Sequence, residues 1–125
     1  MKVRDLMHSP VTTAEACLPA EAAFVRMNQA GIRHLVVLDE GDVVGVVSDR
    51  DLGGERGRAL RVGQAVGELM HGEPVFAHPD LEVRDAAALL SGCRIGCLPV
   101  VEGGALIGIV TRTDLLDLLD PDLRT

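Results

Sequence analysis

Two short stretches hold the residues best suited to chemistry: Gly45-Val46-Val47-Ser48-Asp49-Arg50-Asp51 and Gly108-Ile109-Val110-Thr111-Arg112-Thr113-Asp114. Each runs glycine, two apolar residues, a hydroxyl residue, and an aspartate three places later. A hydroxyl and a carboxylate at that spacing lie on the same side of a first helical turn. With the unpaired backbone N–H groups of the turn they can grip a polyhydroxylated or anionic ligand. The carboxylate suits the two neighbouring hydroxyls of a ribose, a task acidic residues perform in other nucleotide folds. The same spacing also describes a capping box, in which hydroxyl and carboxylate satisfy only the backbone of their own turn. One copy alone favours the cap; its recurrence in the same context favours a ligand.

The recurrence extends well beyond these stretches. Ile32 to Leu52 and Ile95 to Leu115 align without a gap at an offset of 63, with 8 of the 21 pairs identical. The same offset carries Val3-Arg4-Asp5-Leu6-Met7-His8 onto Val66-Gly67-Glu68-Leu69-Met70-His71. An internal repeat sets the architecture before any single motif is weighed. Repeats of about 60 residues are marginal alone, which favours two lobes sharing buried apolar faces.

Each copy carries the same expected elements. A short amphipathic piece (Val3–Met7, Val66–Met70) precedes a Pro-Val pair (Pro10-Val11, Pro74-Val75) that opens an extended segment. A helix follows. In the first copy it starts near Pro19 and stops at Gly31; in the second, Asp80 caps it and it ends near Gly92. β-branched runs joined by Asp39-Glu40-Gly41 and Glu102-Gly103-Gly104 predict hairpins. The runs are nearly continuous, so the strands are expected to be buried on both faces. A last helix is predicted to start at Ser48 and at Thr111, the second running through Leu115, Leu116, Leu118 and Leu119 to Pro121. Gly53 to Gly63, with four glycines and three arginines, reads as an exposed connection.

Composition narrows the function classes. The net charge is −7 and the only aromatics are Phe24 and Phe76, which argues against a nucleic-acid surface needing basic residues and stacking platforms. No apolar run is long enough to span a bilayer, and the opening MKVRDLMHSP lacks a secretory core, so a cytoplasmic protein is expected. Cys17, Cys93 and Cys97 form neither a disulfide framework nor a zinc set; Cys93 and Cys97 read as small buried thiols. His8 and His71 occupy equivalent places, which points to shared ancestry and packing rather than to a metal pair. The sequence has no GxSxG stretch and no Walker loop, and Gly53-Gly54-Glu55-Arg56-Gly57 lacks the strand and helix of a dinucleotide fingerprint. No catalytic residue and no metal ligand is assigned.

Taken in order and twice over, Val-x-x-Leu-Met, the Pro-Val segment, the helix, Leu98-Pro99-Val100-Val101 and the two Gly-x-x-(Ser/Thr)-x-x-Asp endings resemble the cystathionine-β-synthase (CBS) domain family. The resemblance covers Val3 to about Leu119. It implies an α+β fold of two βαββα motifs packed through their sheets with pseudo-two-fold symmetry, a single module over 1–125. Motif 1 would occupy 1–58, with a linker at 53–63, and motif 2 would occupy 64–120. It further implies adenine ligands (AMP, ADP, ATP or S-adenosylmethionine) in two clefts between the motifs, no catalysis, and homodimerisation through helices. Residue by residue, the first cleft would use Ser48 and Asp51 for ribose, with Val46, Val75, Phe76 and Ile95 around the base. The second would use Thr111 and Asp114, with Ile109, Val11, Thr12 and Ile32 around the base. Arg33-His34, helped by Arg50, can supply charge for phosphate in the first cleft; Gly96-Cys97 cannot in the second, where Arg112 remains nearby. The expectation is therefore a stand-alone regulatory sensor acting on a partner protein, with nucleotide preferred at Ser48 and Asp51. The alternative is a ligand-free dimerisation or protein-interaction module.

Overall fold

The computed structural model describes residues 1–93 and 95–119. In chain order the elements are α1 (Val3–Leu6), β1 (Thr13–Glu15), α2 (Ala20–Ala30), β2 (His34–Asp39), β3 (Asp42–Ser48) and α3 (Arg58–Arg61). There follow α4 (Val66–Leu69), β4 (His71–Gly72), α5 (Val83–Cys93), β5 (Cys97–Glu102), β6 (Ala105–Thr111) and α6 (Arg112–Leu119). The mixture of sheet and helix is the α+β class expected. Pro121 lies outside the described residues.

The chain divides into two compact units that do not coincide with the sequence copies. One is continuous, Thr12–Pro74; the other is split, joining Met1–Val11 to the chain from Val75 onward.

In the continuous unit the sheet order is β1-β2-β3-β4, with β1 parallel to β2 and the remaining pairs antiparallel. Helix α2 buries Ala20, Ala23, Phe24 and Met27, the i, i+3, i+4, i+7 spacing of one helical face. They pack with Leu35, Val37 and Val47 of the hairpin and with Leu52 and Val66. The helix stops where Gly31 turns left-handed at φ 67° and its N–H bonds back to Asn28 and Met27. Leu35, Val36 and Val37 are successive and all fully buried, so both faces of β2 are covered, as the continuous apolar run predicts.

The split unit repeats this plan. β5 and β6 form its hairpin, Ala77 bridges Val100 in parallel, and His8 bridges Ile109 in antiparallel. Ala86 and Leu90 of α5 pack on Leu98, Val100 and Val110, with Val3 of α1 completing the core. Helix α5 begins at Val83, three residues after the expected cap. Asp80 is drawn elsewhere: Arg4 donates to its Oδ1 from Nε at 3.0 Å and again from Nη2. Cys93 is exposed, not buried as expected, because it ends α5 on the solvent side; Cys97 is buried.

The connection between copies is largely exposed, as its composition suggests, but it is pinned at one residue. It contains α3, and Arg61 at its end is almost fully buried. Arg61 donates from Nη1 to Leu52 O (2.8 Å) and Gly54 O (2.6 Å) and from Nε to Glu21 (2.6 Å). Its guanidinium lies 3.8 Å over the Phe24 ring. An arginine with its charge met on every side can leave water, and here it pins the connection to α2.

Candidate functional site

Both (Ser/Thr)-x-x-Asp stretches close as capping boxes. In the continuous unit the Ser48 N–H donates to Asp51 Oδ2 (2.9 Å) and the Asp51 N–H to Ser48 Oγ (3.1 Å). In the split unit the Thr111 N–H donates to Asp114 Oδ2 (2.8 Å) and the Asp114 N–H to Thr111 Oγ1 (3.4 Å). The reciprocal pattern ties each turn to the end of its strand and orients one carboxylate oxygen inward. What each box can do beyond capping depends on the other oxygen.

Here the copies part. Asp114 Oδ1 lies 2.7 Å from His8 Nε2. Asp51 Oδ1 has no hydrogen bond among the described residues, leaving a half-buried carboxylate with one oxygen available to a ligand. The turns also differ in length. After Thr111, α6 continues for two turns; after Ser48 there is one turn, closed by the Leu52 N–H to Ser48 O bond (3.3 Å). The predicted helix at Ser48 is therefore cut short. Gly53 and Gly54 take φ 85° and 65°, which an α-helix cannot accommodate.

Two arginines and a histidine gather at the same end of the continuous unit. His34 pairs in register with Ser48, and the Asp49 N–H donates to Arg33 O at 3.0 Å. The side chains of Arg33 and Arg50 are exposed and make no hydrogen bond or ion pair among the described residues. Arg33 and Asp49 also border a pocket of about 310 Å3 with Phe24, Met27, Asn28, Gly31, Ile32, Gly54 and Glu55. Val46 is buried on β3. In the split unit Arg112 is committed, donating from Nη2 to Ile95 O at 3.1 Å. Of the other residues expected to line a base, Ile95 sits in the split unit's core, Val75 and Ile109 are half-buried there, and Phe76 is exposed at 43%. Val11 belongs to the split unit and Thr12 to the continuous one.

Sequence reasoning missed His8 as a partner of Asp114, 106 residues away. It also missed why each box starts with glycine. A Cβ on Gly45 would stand 2.6 Å from Met70 Sδ and 2.7 Å from His71 O; on Gly108 it would stand 2.7 Å from Met7 Sδ. The Leu-Met-His segment of each copy lies over the glycine of the other, so the two repeated motifs are two halves of one contact. A further cluster appears in the split unit, where His78, Asp80 and Glu102 bring ligand atoms within 4.8 Å of one another. Arg4 already holds Asp80, and the Asp80 N–H donates to His78 Nδ1 at 3.0 Å, so the cluster is satisfied by its own neighbours.

The CBS domain profile matches residues 3–52 and 66–121, taking in both boxes and both Leu-Met-His segments. The chain belongs to the CBS domain family. A CBS domain-containing protein of Dictyostelium discoideum is 34% identical over 131 residues, covering 94% of this chain and 90% of that protein. The CBS domain pair of protein MJ0100, solved in complex with 5′-methylthioadenosine and S-adenosyl-L-methionine, superposes with a TM-score of 0.85 at 28% identity, covering 98% of each chain. CBSX2, solved in complex with AMP, gives 0.77 at 28% identity, covering 99% of this chain and 98% of that one. An A-adding tRNA nucleotidyltransferase of Aquifex aeolicus is 29% identical over 125 residues, but the CBS pair spans only 15% of that enzyme's length. Among the described residues no helix is long and apolar enough to cross a membrane.

Proposed function

We propose that this CBS pair is a regulatory sensor whose continuous unit binds an adenine nucleotide at the end of β3 and performs no catalysis of its own. Asp51 takes a ribose hydroxyl on Oδ1, and Arg33, His34 and Arg50 face the phosphates. The observation that carries this reading is Asp51 Oδ1, without a hydrogen bond among the described residues and on the turn that also carries Arg50, set against an Asp114 already engaged by His8. The complexes of related CBS pairs with AMP and with S-adenosyl-L-methionine support the ligand class. A ligand changes a partner only through unequal affinity for two arrangements of the protein, so the signal lies in conformation rather than chemistry. The module is proposed to homodimerise through its helices, where Val25 of α2 and Leu116 and Leu118 of α6 are exposed.

Calorimetric titration with AMP, ADP, ATP and S-adenosylmethionine tests the reading. Binding of at least one is expected, lost or weakened at least tenfold by Asp51→Ala. No binding by any of the four sinks it. A second reading, a ligand-free interaction module, draws on the capping boxes: both satisfy their own turns without a ligand. It predicts no binding together with a dimeric mass in light scattering.

A further inference from the structure

We infer that His8 is the residue that decides how many nucleotides the chain takes: its imidazole fills the ribose position on Asp114 and restricts binding to the Ser48–Asp51 box. The inference rests on the proposed function for its ligand class, and on the split unit's geometry for its mechanism.

The backbone of His8 is held on both sides, its N–H donating to Ile109 O (2.9 Å) and its carbonyl accepting from the Ile109 N–H (3.1 Å). Ser9 adds an anchor, its hydroxyl donating to Ile107 O at 2.6 Å. So fixed, the ring sets Nε2 2.7 Å from Asp114 Oδ1, while Oδ2 is taken by the Thr111 N–H. A ribose diol binds a carboxylate by donating to its oxygens; Oδ2 is held by a backbone N–H in both boxes, but at Asp114 the imidazole stands 2.7 Å from Oδ1, in the place a ribose hydroxyl would take. The Asp114 side chain is 13% exposed and the His8 side chain 66%, so the imidazole covers the acid from the solvent side.

The other copy has the same parts without the same contact. His71 pairs with Val46 as His8 pairs with Ile109. The residue after it is Gly72, which lacks the hydroxyl that anchors Ser9, and His71 makes no hydrogen bond to Asp51 among the described residues. A serine-for-glycine difference and the additional Glu73 of the second copy thus accompany a closed box in one unit and an open one in the other.

Calorimetry with AMP, ADP, ATP and S-adenosylmethionine on four proteins is the test: wild type, His8→Ala, His8→Gln, and His8→Ala combined with Asp51→Ala. Wild type is expected to bind one ligand per chain and His8→Ala two. His8→Gln keeps an N–H donor at the position of Nε2 and is expected to stay at one. The double variant is expected to retain one site, which Asp114→Ala then removes. Two ligands on wild type, or one on His8→Ala with none on the double variant, overturns the role of His8 while leaving the sensor reading standing. No binding by any protein overturns both. His8 is largely exposed, so its replacements spare the core, and melting curves without ligand check that each variant folds.

Discussion

Replacing Arg61 with alanine removes more than a surface charge. Nη1 serves two carbonyls, Leu52 O in the interior and Gly54 O at its margin, and both close the turn that carries Asp51. Charged hydrogen bonds contribute about 1.5–3 kcal/mol each, and a buried carbonyl left unpaired costs about 1–3 kcal/mol. The stacking on Phe24 adds about 1–2 kcal/mol where water is excluded. Glu21 is half exposed and recovers water, so its share is under about 1 kcal/mol. Allowing for overlap, Arg61→Ala should cost about 3–5 kcal/mol, most of it from the two carbonyls and the ring. Arg61→Met keeps the apolar stem and should recover only a minor part of that loss. The chain has no Trp or Tyr, so urea unfolding is best followed by far-UV circular dichroism. A loss below about 1 kcal/mol for Arg61→Ala refutes the pinning role, since it lies within the effect of an ordinary surface substitution. Equal stability of Arg61→Met and wild type would instead place the whole contribution in the stem. Where Arg61→Ala still folds, ligand affinity should fall too, because the turn bearing Asp51 loses its anchor.

Two further outcomes follow from the packing and the ion pairs. Gly45→Ala should cost about 1–3 kcal/mol, the range for overpacking, and adding Met70→Ala should recover only part, because the His71 carbonyl also crowds that Cβ; Gly108→Ala should be relieved more fully by Met7→Ala, since there the carbonyl is 3.2 Å away. Double-mutant cycles in urea read the difference. The hydrogen bond from Arg4 holds the Asp80 carboxyl below its ordinary value. Its stabilisation is therefore present above about pH 4, near the unfolded value, and is lost as pH falls through the lowered folded value. Asp80→Asn should melt below wild type at about pH 5, and the two curves should converge in stronger acid; a margin unchanged at the acid end would refute the pairing.

Much of the fold was legible because its signals are local. The hairpins announced themselves through β-branched runs around Glu40-Gly41 and Gly103-Gly104, and α2 through Pro19 and Gly31. The misreadings have distant causes. Asp80 looks like a helix cap until Arg4 claims it from 76 residues away. Gly53 to Gly63 is mostly solvated as read, but nothing local shows that Phe24 and Glu21 receive Arg61. Of the candidate site, the two boxes could be read from spacing and Arg33-His34 came from the family resemblance, whereas the contrast between Asp51 and Asp114 depends on His8, which no window around either aspartate contains.

The split unit has a bearing on how the chain emerges from the ribosome. Residues 12–74 form a complete set of strands and helices once Pro74 is clear of the exit tunnel, so this half can fold while the rest is still being made. The segment Met1 to Val11 finds its partners much later in the chain: Met1, Val3 and Arg4 bond to residues between Pro79 and Val83, and His8 to Ile109 of β6. The same arrangement means that dividing the gene between the sequence copies would not yield two folding pieces. Each fragment would keep a glycine emptied for a methionine now on the other fragment. The pieces that were duplicated are not the pieces that fold.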